Sequence, residues 1–203
     1  VAFALEIEAG TVDINGGDLT IATNADLEGS AFTPNLNVTD GTLDIGGDLN
    51  VAASGSAAVA IAAAGVANVA NDMNIGSGGV VTVTGGELNV TDTLTTAGAL
   101  TANSGTLNAD TLISSGTTAL VAVGGTINTI NVTGGVTSIA SLIVTNVNVM
   151  GGTLETASTT VTNLNVNGAS AAVNTTGAAS ASDLQMIDGV MDLTGGSLTV
   201  ATT

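Results

Sequence analysis

The sequence predicts an all-β fold: a parallel β-solenoid of about ten coils, each of roughly 20 residues and three short strands, in a single domain over residues 1–203. Three observations carry that expectation. A five-residue pattern recurs at nearly even spacing, short alternating apolar and polar runs fill the intervals, and Gly-Gly pairs separate the runs.

The pattern is Gly, any residue, apolar, Asn, apolar. Its copies are Gly47-Asp48-Leu49-Asn50-Val51, Gly65-Val66-Ala67-Asn68-Val69, Gly86-Glu87-Leu88-Asn89-Val90, Gly105-Thr106-Leu107-Asn108-Ala109 and Gly125-Thr126-Ile127-Asn128-Thr129. Without the leading Gly it continues through Val147-Asn148-Val149, Leu164-Asn165-Val166 and Leu184-Gln185-Met186, at steps of 17 to 21 residues. A period of this size marks a solenoid whose coils stack one on the next.

Within a unit the β-like runs are short. Leu88-Asn89-Val90 is followed by Thr93-Leu94-Thr95 and Leu100-Thr101-Ala102, and the next unit reads Leu107-Asn108-Ala109, Leu112-Ile113 and Leu120-Val121-Ala122-Val123. Strict alternation suits a pleated wall with one face in and one out. The pairs Gly46-Gly47, Gly85-Gly86, Gly124-Gly125, Gly134-Gly135, Gly151-Gly152 and Gly195-Gly196 are expected at the corners between walls. If Leu88 and Val90 face the core, Asn89 faces out. The column Asn50, Asn68, Asn89, Asn108, Asn128, Asn148 and Asn165 is then expected as one amide ladder on an outer wall, and as an assembly face.

Gly-Gly between alternating runs is also a hairpin signal. Residues 81–90 and 191–200 would each make an antiparallel pair, so the alternative is an antiparallel β-sandwich with donor-strand exchange. A sandwich does not require a twenty-residue period. Residues 52–70, rich in Ala and uncharged, are long enough for a membrane helix. Gly55, Gly65 and the lack of basic or aromatic flanks argue against spanning, so no membrane insertion is expected and the segment reads as a coil of small residues.

Composition excludes much chemistry. The chain has no Lys, Arg, His, Cys, Trp or Tyr, and its formal charge is −17. Nucleic acid is excluded as a partner, because its binding rests on Lys and Arg at phosphates. Ser-His and Cys-His nucleophiles, Schiff bases, zinc sites built on His or Cys and Arg clamps on phosphate are equally out of reach. Only carboxylate chemistry survives. A glycosidase pair needs two carboxyls about 5 to 9.5 Å apart, and Glu87 with Asp92 or Asp183 with Asp188 are the pairs that come to mind. Sugar clefts normally add aromatic platforms and basic partners, so no enzyme is expected.

With no cation available, each carboxylate must be solvated, capped by N–H groups or bound to a metal. The runs 13–18, 44–48 and 71–74 place oxygen ligands around flexible turns, which suits calcium, with Asp13, Asn15, Asp18, Asp44, Asp48 and Asp72 as candidate ligands. None matches a recognised loop: an EF-hand starting at Asp13 needs Glu where Asn24 stands. Asn37, Asn89, Asn131 and Asn174 begin Asn-x-Ser/Thr sequons and are possible glycosylation sites, although Asn-Val-Thr is also an ordinary strand sequence.

The phrases Gly-Gly-Glu-Leu-Asn-Val (85–90), Gly-Gly-Thr-Leu-Glu-Thr (151–156) and Gly-Gly-Ser-Leu-Thr-Val (195–200) resemble the β-strand repeats of autotransporter passengers and related secreted β-solenoid surface proteins. The resemblance implies an exported adhesive or scaffold protein and carries over no functional residue. Abundant Thr, Asn and Gly, with no trypsin site, agree with an extracellular or cell-surface location. The first residue is not Met and no basic segment leads the chain, so any signal peptide is expected to be gone already. The expected function is a structural subunit of an extracellular filament, sheath or surface layer, a homopolymer joined through uncapped coils and the flat Asn/Thr face. The alternative is an adhesin passenger fragment that binds a host surface or polysaccharide.

Overall fold

The computed structural model describes residues 1–53, 55–121 and 124–201, and the 122–123 part of the expected run after Leu120 lies outside them. Those residues form an all-β parallel solenoid of about ten coils, about 19 residues to a turn, without a helix. Every strand-to-strand ladder among them is parallel: Leu49 lies on Ala25, Met73 on Leu49 and Leu94 on Met73, each coil pairing with the one before. An isolated antiparallel bridge joins Ala62 and Gly85 at a corner. The hairpin expected over residues 81–90 does not form, because Gly79–Thr84 pairs with the coils below and above it instead of with Glu87–Thr96. The sandwich alternative falls with it.

Three walls make the cross-section. The first wall is built from Leu5–Ile7, Ala25–Leu27, Leu49–Val51 and Met73–Ile75, and is continued by the later halves of Glu87–Thr96, Thr106–Ser114, Ile127–Val132 and Ile143–Val149. The second wall takes the opening halves of Thr11–Ile21, Asn35–Ile45 and Ala57–Val69, then Gly79–Thr84, Ala99–Asn103, Thr117–Val121, Val136–Ala140 and Thr153–Thr156. The third holds residues 17–21, 41–45 and 65–69 and the first residues of Glu87–Thr96 and Thr106–Ser114. Thr160–Thr175 and Ala178–Asp192 run round corners, and Ser197–Val200 closes the series.

Alternation puts the aliphatics inside. Leu49, Met73, Leu94, Leu112, Ile130 and Val147 form one fully buried file, and Leu43, Ala67, Leu88 and Leu107 form another. Each fully buried Val or Leu contributes about 1.5–3 kcal/mol, so a stack of like side chains stands in for an aromatic core. The Ala-rich segment is the strand Ala57–Val69, in which Val59, Ile61, Ala67 and Val69 face in. Near the middle the core turns polar. Ser114 and Thr118 hydroxyls lie 3.0 Å apart, Thr137 donates to Ser114 Oγ at 2.8 Å, and Thr96 Oγ1, also buried, has no partner among the described residues.

Corners are made by glycine where coils approach most closely. All six Gly-Gly pairs fall between strands. A Cβ on Gly76, Gly98, Gly116 or Gly135 would stand 1.9–2.3 Å from the carbonyl oxygen of the coil beneath. At the corner between the second and third walls, Gly16, Ala63, Gly85, Ser104 and Ser141 adopt positive φ, between 52° and 79°.

Candidate functional site

Outward side chains of neighbouring coils meet in register, and their polar groups pair along the rod axis. On the first wall Asn50 donates to Asp26 Oδ1 at 2.7 Å and Asn74 to Asn50 at 3.0 Å. Further along that wall Asn148 donates to Asn131 at 2.8 Å and Asn165 to Asn148 at 2.9 Å. On the third wall Asn68 donates to Asp44, Asn89 to Asn68 and Asn108 to Asn89, at 2.7–2.8 Å, and Asn108 Oδ1 then accepts the Thr126 N–H at 2.8 Å. Asn37 donates to Asp13 at 2.7 Å on the second wall.

Each donating amide gives its N–H toward the N-terminal coil, and Asn50, Asn68, Asn89, Asn108 and Asn148 also accept from the next. The first member of such a ladder has only to accept; Asp26, Asp44, Asp13 and Asp110 occupy that place in four ladders, and Asn131 and Asn146 in two others. A carboxylate there makes the charge-assisted bond, about twice as strong as a neutral one, and leaves no N–H without an acceptor below it.

The single Asn column expected from the sequence is therefore three. Asn50, Asn148 and Asn165 share the first wall, Asn68, Asn89 and Asn108 the third, and Asn128 sits at the corner between them, donating to Asp110 at 2.9 Å. The physical cause is coil length. Equivalent residues are 24 apart in the early coils, 21 and 19 in the middle and 17 later, so a uniform step of about twenty drifts from wall to wall. The third wall itself runs on through Val144, Val161, Ala181 and Val200, but its outward place above Asn108 is taken by Thr126, Ile143, Thr160 and Ser180, so the amide file ends there.

The candidate calcium ligands are dispersed. Asp13, Asn15 and Asp18 line an open depression at the corner between the second and third walls in the first coil, whereas Asp44 faces out from the third wall as acceptor for Asn68. Asp48 and Asp72 belong to a corner file in which Asn24 Oδ1 accepts Asp48 N–H at 3.0 Å, Asp48 accepts Asp72 N–H at 3.3 Å and Asp72 accepts Thr93 N–H at 2.9 Å. Among the described residues no three carboxylates come together. The sequon amides of Asn37 and Asn89 already donate to Asp13 and Asn68, Asn131 accepts from Asn148, and Asn174 is half-buried on the second wall. Asp192 is the carboxylate held below the usual aspartate range: the Thr194 hydroxyl and then its backbone N–H donate to it.

A feature that sequence patterning did not single out is an open groove of about 430 Å³ along the third wall. Its side is the Thr20, Asp44, Asn68, Asn89 file and its floor is the small corner residues Ala22, Gly46 and Ala70. Once coil register is known, the run of small residues opposite a polar file is the signal for it. No protein-family model, curated protein or solved structure matches this chain.

Proposed function

We propose that this chain is a non-catalytic structural subunit of an extracellular filament, sheath or surface layer. The observation that carries the reading is the use of the outward polar groups: Asp and Asn side chains bond the coil above or below them and leave no converged site of carboxylates among the described residues. Such a surface stiffens a rod instead of binding a small molecule. The strand edges of the terminal coils offer the pairing that joins successive coils, and further coils or a second copy would use it alike. Secretion and kinship with autotransporter-type passengers belong to the same proposal, supported by the repeat phrases and the Thr, Asn and Gly composition. Calcium would relieve repulsion in the first quarter, where nine of the seventeen carboxylates lie from Glu6 to Asp48.

Electron microscopy across a calcium series tests it. Rods that lengthen or align are expected; dispersed monomers under every condition would overturn it. The groove beside Asp44, Asn68 and Asn89 favours a second reading, an adhesin segment that binds an uncharged polysaccharide. Retention of the protein on insoluble glycans, lost on Asn68→Leu, distinguishes that reading.

A further inference from the structure

We infer that the second wall is a face on which two copies of this chain pair, face to face and running in opposite directions. Over five coils this wall has unbroken register: Ala58, Val80, Ala99, Thr117 and Val136 align without a bulge, as do Ala60, Thr82, Thr101, Ala119 and Ser138. Corner-spanning ladders elsewhere carry register shifts, as between Val38 and Asp40 and between Ala109 and Thr111. The wall also carries three exposed valines, Val80 at 46%, Val121 at 43% and Val136 at 38%, whereas the other exposed large apolar side chains away from the chain ends, Phe32, Ile143 and Met150, are scattered singly. A flat sheet face with small side chains suits sheet-on-sheet packing at about 10 Å.

Charge selects the occupant and the orientation. The chain has seventeen carboxylates and no Lys or Arg, so two copies associate only where carboxylates do not face each other. The central outward file of the second wall reads Asp13, Asn37, Ala60, Thr82, Thr101, Ala119, Ser138, Glu155, Asn174, Asp192 in coil order. Its charges sit at the two ends, and its middle has none.

Parallel copies in register would set Asp13 on Asp13 and Glu155 on Glu155. A two-fold axis crossing the wall at Thr101 instead sets Asp13 opposite Asn174 and Glu155 opposite Asn37. Asp13 and Glu155 then each meet an amide that has an N–H to give, since Asn37 uses one N–H on Asp13 and an amide carries two, and Asp192 falls beyond the partner's Asp13, opposite no carboxylate of the file. Thr101 meets itself. The contact spans about 38 Å by about 17 Å, or about 650 Å² a side, slightly below the roughly 800 Å² a side of a stable complex. A reversible dimer is the expected product.

The inference deepens the structural-subunit reading and fails separately from it, because end-to-end growth continues with concentration whereas this pair saturates at two. The tests are sedimentation equilibrium of the 203-residue chain and of Thr101→Asp, with circular dichroism to verify the fold, and distance measurement on spin-labelled Ala169→Cys, an exposed site in the coil of Asn174 and outside the paired file. A monomer–dimer equilibrium is expected, weakened at least about tenfold by Thr101→Asp, which sets two carboxylates face to face at the axis. The label-to-label distance should be about 38 Å, eight coil spacings of about 4.8 Å. A monomer at all concentrations, a dimer indifferent to Thr101→Asp, or a distance near 10 Å would each overturn it.

Discussion

At the scale of single residues, the difference between Asp and Asn on the walls is one of position in a ladder. Asp44 only accepts, whereas Asn68 both donates to Asp44 and accepts from Asn89. Asp44→Asn keeps an acceptor at the foot of the ladder and should change stability by less than about 0.5 kcal/mol. Asn68→Asp sets two carboxylates against each other and removes a donor, and should cost about 1–3 kcal/mol. Urea midpoints of the two variants check this; equal effects would mean that ladder direction has no energetic role.

Asp192 offers a pH test on the same scale. Its pKa is lowered first by the Thr194 hydroxyl. Because the folded value is the lower one, its stabilisation is complete above the unfolded pKa and is lost as pH falls from there through the folded value. Thr194→Val should return the Asp192 titration, followed by carboxyl NMR, most of the way to the ordinary range, the rest being held by the backbone N–H.

Among the elements, the corners tolerate least. Gly116→Ala drives a Cβ to 2.1 Å from Gly98 O, at a position where backbone meets backbone. A cost of about 3 kcal/mol or more is expected, since neither coil can yield without breaking its ladder. Gly17→Ala meets nothing within 4 Å and should be nearly silent, so thermal melts of the two separate close approach from loss of glycine flexibility. The walls themselves were legible in the sequence: the alternation of Leu88, Asn89 and Val90 gave the inward and outward faces correctly, and every Gly-Gly pair marked a corner. What the pattern hid was register. All three walls carry apolar, polar, apolar, so nothing local distinguishes Asn50 on the first wall from Asn68 on the third. Only the Asp–Asn bonds 24 residues apart reveal the true early step, and a donor that follows an acceptor is no signal until two coils are stacked.

For the whole molecule, charge and shape set the behaviour. With no basic side chain the 203-residue chain has only its amino terminus to become cationic, so its net charge nears zero only when all but about one of its carboxyls are protonated, at about pH 2.5. Ordinary proteins dissolve again on the acid side of the isoelectric point through positive self-repulsion. This one should associate as the pH falls to about 3 and stay associated at pH 2, as light scattering on an acid titration would record; recovery of solubility at pH 2 would contradict it. Shape follows from the change of coil length. Equivalent residues lie 24 apart in the early coils, 17 apart at Asn146 and Asn163, and 20 apart at Asn163 and Asp183, which leaves the shaft broadest at its N-terminal end, a shallow wedge. Wedges laid side by side in one direction fan into an arc, whereas wedges laid head to foot give a slab of even thickness. Inverting every second copy would therefore let these shafts tile a plane.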